Sequence, residues 1–126
     1  MRFEWRSFAT VAGELLDSHG DSHVPEACFR TAISRAYYAV FCTASEHLQA
    51  EGTQIPRSAK AHSIVRKQFE ASNDMSRRSI GSALKRLGGL RHQADYDCSP
   101  AKQMDNSLAQ LAVLMAHQTL TDIDGL

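Results

Sequence analysis

Apolar residues recur at three- and four-residue steps along nearly the whole chain, the period of helices that each turn one face to a core. Trp5, Phe8, Ala12, Leu15 and Leu16 predict a first helix that stops near Ser18-His19-Gly20. A polar loop from Asp17 to His23 leads to Pro25, whose missing N–H is not needed in a helix's first turn. From Glu26 a long second helix carries Phe29, Ile33, Tyr37, Val40, Phe41, Ala44 and Leu48 on one side and ends at Gly52. His62, Val65 and Phe69 mark a short third helix. Ser72-Asn73-Asp74 supplies turn and cap chemistry before a fourth, marked by Ile80, Ala83, Leu84, Leu87 and Leu90. Gly88-Gly89 is expected to interrupt that helix, at about 1 kcal/mol per glycine relative to alanine. Ser99-Pro100 is expected to cap and begin the last helix, lined by Met104, Leu108, Leu111, Leu114 and Met115 and running to about Thr121, with a fraying tail from Asp122 to Leu126. No segment alternates with period two, so the expected fold is an all-α bundle of about five helices.

The long second helix has another stripe, Arg30, Ser34 and Tyr38 at four-residue steps, which must meet solvent or something polar. Residues 90–97 are dense in ionisable groups, with Arg91, His92, Asp95, Tyr96 and Asp97 close together. Asp95 could neutralise Arg91 there.

Composition changes the picture little. The chain has 126 residues, 43% of them hydrophobic and 22% charged, which fits one globular domain spanning residues 1–126. No apolar run approaches the roughly 18 residues of a membrane span, and the first residues lack a signal peptide's apolar stretch, so the expectation is a cytoplasmic protein without membrane contact. Cys28, Cys42 and Cys98 are odd in number and widely spaced, which fits reduced thiols. Net charge is zero, yet residues 57–91 hold nine basic and two acidic side chains, while both flanking segments are acidic. Such a division suits an anionic partner, and it equally suits a solvated helix face.

Asp17, His19, Asp21 and His23 are possible metal ligands, but Gly20 argues for a loop with no fixed geometry, so no metal is expected. His47 and His62 read as packing residues and His117 as exposed. Phosphate loops, nucleophile elbows and H-E-x-x-H motifs are absent.

The segments RTAISRAYYAVFCTASEHL, KAHSIVRKQF and LGGLRHQADYD, in this order and at these separations, resemble the HEPN superfamily, specifically a compact group with R-A-Y-Y-A-x-F and R-x-x-A-D-Y signatures. The resemblance covers roughly residues 24–121, after an N-terminal helix and loop over 1–23. It implies an antiparallel bundle and a homodimer that brings two copies of the Arg motif together. It also implies metal-independent endoribonuclease activity in a toxin or defence role, without a cofactor, beside a nucleotidyltransferase antitoxin that could modify Tyr96. The superfamily's catalytic pattern is an Arg, a neighbouring polar residue, and a His four to six residues after the Arg. Arg91 and His92 match the first two positions. Tyr96 stands at the third, as in a variant where tyrosine replaces histidine. The alternative is a non-catalytic HEPN module that binds nucleotide, RNA or a nucleotidyltransferase.

RNA cleavage without a metal needs the 2'-hydroxyl deprotonated, charge on the phosphorane stabilised and the leaving oxygen protonated. Arg91 suits the second task through its bidentate fork. His92 suits either proton transfer. Tyr96, a phenol and a poor base, suits substrate positioning. Asp95, Arg35 and Tyr38 are candidate supports, and Arg77, Arg78, Lys85 and Arg86 are candidate contacts to the RNA backbone. Apolar surface for a dimer could come from Ala36, Tyr37 and Val40 or from the last helix.

Overall fold

The computed structural model describes residues 2–18, 23–99 and 103–126, and every regular element among them is helical. The order is α1 (Ser7–Asp17), α2 (Pro25–Ala50), α3 (Lys60–Glu70), α4 (Met75–Tyr96) and α5 (Asn106–Asp124). None of these helices is long and apolar enough to cross a membrane. The long α2 is the axis: the other four all pack against it, and Ile33, Ala36, Val40 and Ala44 are fully buried there.

Local chemistry accounts for the helix ends. Pro25 opens α2, and Gly52 closes the turn after it with a φ of 98°, a left-handed conformation that favours glycine. Asp74 caps α4 by accepting the Arg77 N–H at 3.0 Å, and Ser72 Oγ accepts from the Asp74 N–H. Gly81 is required where α3 and α4 meet, since a Cβ there would lie 2.8 Å from the Glu70 backbone nitrogen.

Four expectations need correction. First, Gly88-Gly89 does not interrupt α4, which runs unbroken to Tyr96. Leu84, Leu87 and Ala94 on either side are buried, and tertiary packing of this kind outweighs an unfavourable propensity of about 1 kcal/mol per glycine. Second, α5 starts at Asn106, capped by Asp105, whose side chain accepts the Leu108 N–H at 2.9 Å. Ser99 precedes it in non-helical backbone, and Pro100 lies outside the described residues.

Third, the C-terminal tail is held rather than frayed: α5 continues to Asp124, Ile123 is buried, and Arg6 donates two hydrogen bonds to the Asp124 carboxylate at 2.6 and 3.0 Å. Fourth, α5 faces the core with Ala109, Ala112 and Ala116, all at 0% exposure, together with Leu120 and Ile123. Leu108, Leu111 and Met115 are only half-buried, and Leu114 is 68% exposed. Small residues let the backbones of α5 and α2 approach closely, so the larger side chains one step around the helix are left at the margin. At the other end of the chain Trp5 precedes α1 and forms a half-open aromatic cluster with Phe3 and Phe8.

Candidate functional site

The polar stripe of α2 meets the C-terminal end of α4. Arg30 donates to the carbonyls of Gln93, Ala94 and Asp97 at 3.2, 3.0 and 3.0 Å, so one guanidinium ties together the carbonyls at the C-terminal end of α4. Glu26, one turn earlier, pairs with the same guanidinium at 2.9 Å. Ser34 Oγ donates to the Asp95 carboxylate at 3.2 Å. The third member, Tyr38, lays its ring beside two guanidinium groups, Arg35 at 4.9 Å and Arg91 at 5.6 Å.

These contacts place Arg91 in an aromatic box. Its guanidinium carbon lies 5.2 Å from the Tyr37 ring centroid and 5.7 Å from that of Tyr96, in addition to Tyr38. The side chain keeps 14% of its exposure, faces Asp95 at a long 3.8 Å, and has a buried Nε with no hydrogen-bond partner among the described residues. A cation so placed is oriented by rings and only loosely neutralised, so it retains unused donors. His92 and Tyr96, one turn apart on α4, are exposed, with ring centroids 5.1 Å apart.

A pocket of about 270 Å³ opens between α3 and α4 over the Tyr37 ring. Arg91 and His92 line it from α4 together with Lys85, and His62, Ser63 and Arg66 line it from α3. Gly88 lets α4 approach the Tyr37 ring of α2 closely, since a Cβ there would sit 3.4 Å from it. The Tyr37 hydroxyl and His62 Nδ1 are 2.6 Å apart. Burial pushes the Tyr37 phenol up to about 12, against an opposing pull from Arg91. Burial and the Arg91 charge both hold His62 below the usual imidazole range. Both groups are therefore neutral near neutral pH. The phenol makes no other hydrogen bond among the described residues, which assigns its proton as the one donated to Nδ1 and leaves the imidazole proton on Nε2.

Of the residues singled out in the sequence, Arg91, His92, Tyr96, Asp95 and Tyr38 come together. Arg35 joins them at one remove, stacked between Tyr38 and Phe8. The proposed RNA contacts divide. Arg78, Lys85 and Arg86 are exposed on α4 without ion pairs among the described residues, whereas Arg77 is engaged by Glu51 and covers the Phe69 ring. Sequence reasoning assigned His62 to packing, and its stacking on Phe41 at 4.3 Å agrees. It missed that His62 and Arg66 also share the Arg91 pocket. The i, i+4 spacing of His62 and Arg66 was the available signal, but spacing does not say which helix a face meets. His23 is exposed, and His19 and Asp21, its potential co-ligands, lie outside the described residues.

No family model, curated protein or solved structure matches the chain.

Proposed function

We propose that this chain is a HEPN-type domain that cleaves RNA without a metal ion, acting as a homodimer in a toxin or defence setting with a nucleotidyltransferase antitoxin. One observation carries the reading: a guanidinium with unused donors, Arg91, and an exposed imidazole, His92, line a single cation-rich pocket, with the Tyr96 phenol against that imidazole. In this reading Arg91 forks onto the non-bridging oxygens of the scissile phosphate as negative charge grows there. His92 transfers the proton. The 2'-oxygen attacks phosphorus, the bond to the 5'-oxygen breaks, and the leaving oxygen takes up a proton, so the products are a 2',3'-cyclic phosphate and a 5'-hydroxyl. Tyr96 positions the substrate by hydrogen bonding, and Asp95, Tyr38 and Arg35 orient Arg91. Arg78, Lys85 and Arg86 attract the RNA backbone in a salt-dependent way.

Ala36, Tyr37 and Val40 are buried within one chain, so a homodimer draws on α5, where Leu114 is exposed next to Met115. A twofold contact would double the Arg91 cluster.

The test is cleavage of a defined RNA in chelator, with Arg91→Ala as control. Wild type should release cyclic-phosphate ends, and the variant should lose at least about a hundredfold in rate, the effect of deleting a transition-state donor. Intact RNA with wild type, or full activity in the variant, would overturn the reading. The inward setting of Arg91 and its pairing with Asp95 favour one second reading, a non-catalytic module that binds nucleotide, RNA or a nucleotidyltransferase. In that case RNA is retained uncut.

A further inference from the structure

We infer that the pocket between α3 and α4 is a binding site for a phosphate ester, held by Arg66 and Lys85 on its two walls with Arg91 at one side and the His62 side chain as a neutral donor. The inference takes from the proposed function only the expectation that the ester belongs to RNA. Binding here does not require cleavage.

Among the described residues, three cations line this small volume and no carboxylate does. The nearest acids act on the cations from outside: Glu70 pairs with Arg66 at 3.2 Å, and Asp95 faces Arg91 at 3.8 Å. Lys85 has no ion pair among the described residues and Arg91 has an unused buried Nε, so the field in the pocket is positive. A carboxylate or phosphate would answer it, and the donor types distinguish the two. Two guanidinium forks, an ammonium and an imidazole N–H are more donors than a carboxylate has lone pairs to accept them, and they suit the larger oxygen set of a phosphate.

The Tyr37 hydroxyl fixes the imidazole tautomer, which makes His62 a donor while it remains uncharged. The floor is a ring, Tyr37, left open by Gly88. At about 270 Å³ the pocket lies just under the roughly 300–1,000 Å³ of sites that enclose drug-sized ligands, room for a phosphate and part of a sugar.

Such an ester is either a terminal monoester or a diester within the strand. Inorganic phosphate, and short oligouridylates of equal length with a 5'-phosphate or a 5'-hydroxyl, should be titrated into the full chain at fixed ionic strength, with the His62 and His92 ring resonances as the readout. Saturable shifts of both resonances, with His117 unmoved, are expected. Tighter binding of the 5'-phosphorylated strand identifies a terminal monoester, and equal binding of the two strands identifies a diester; either supports the site.

Arg66→Gln combined with Lys85→Gln should weaken phosphate binding by more than about tenfold, the loss expected for two charge-assisted bonds. Lys67→Gln, on the exposed side of α3, should not weaken it. Shifts that chloride reproduces, or a His62 resonance that does not respond in the unaltered chain, would overturn the site. So would unchanged affinity in the double variant with a native circular dichroism spectrum. A chain that binds phosphate but leaves RNA intact would end the cleavage proposal and leave this one standing. An active chain that fails these titrations would do the reverse.

Discussion

The two long helices that close the bundle, α4 and α5, meet α2 in opposite ways. α5 buries three alanines completely and packs closely on α2 along its length. The C-terminal end of α4 is instead held by polar bonds, with Arg30 on three carbonyls, Ser34 on Asp95 and the Arg91 guanidinium among tyrosine rings. An all-apolar contact tolerates no added volume but asks little of chemistry. A polar contact of this kind keeps charged groups at fixed angles, which a binding or catalytic site needs and a core does not. The same α2 therefore serves as structural spine on one side and as a positioning element on the other.

This difference breaks most sharply under added volume. Ala112→Leu should cost about 3 kcal/mol, because three extra carbons have no space at a fully buried helix contact, and urea unfolding measures it. If the cost is under about 1 kcal/mol, α5 is not packed by close approach.

Alkaline titration probes the other side. Burial pushes Tyr37 up to about 12, so the folded chain keeps a proton that the unfolded chain releases from about pH 10. Its contribution is complete below pH 10 and is lost as pH rises toward 12, by about 2.5 kcal/mol for this phenol. Cys42, pushed up to about 11 chiefly by burial and also by Glu46, adds to the same loss. Tyr37→Phe should flatten the slope between pH 10 and 12 and leave the cysteine's share; an unchanged slope would place the titrating group elsewhere.

A smaller effect separates holding from chemistry. Arg30→Met keeps the aliphatic stem but removes the three carbonyl bonds, and should cost about 2 kcal/mol in thermal unfolding. The end of α4 should then fray, and under the proposed function RNA cleavage should fall although Arg30 lies outside the proposed site. Stability within error of wild type would show that solvent satisfies those carbonyls equally well. The smallest change is expected at Leu114→Ser, within about 0.5 kcal/mol for the single chain because the side chain is 68% exposed. Under the proposed homodimer, light scattering should nonetheless register a shift toward monomer. An unaltered dimer would move the interface away from α5.

Helix spans were largely legible because each carries its own signals. Pro25, Gly52 and Asp74 act within one turn of themselves, and their chemistry is the same in any tertiary setting. The misread boundaries depended on remote partners. Gly88 is retained in α4 by the packing of its buried neighbours Leu84 and Leu87, and the last turn of α5 by Arg6, more than a hundred residues away in sequence.

What the sequence determined by itself is the all-helical class, the five segments, and the closeness of Arg91, His92 and Tyr96 along the chain; that one unbroken α4 carries all three came from the structure. Only the tertiary structure decided that the α2 stripe docks on the end of α4, that Ala109, Ala112 and Ala116 rather than Leu108, Leu111 and Leu114 meet the core, and that His62 and Arg66 of α3 enter the same pocket as Arg91. The reason is geometric. A 3.6-residue period fixes which residues share a face, whereas the rotation of one helix against another depends on the summed packing of distant side chains, and no local pattern records it.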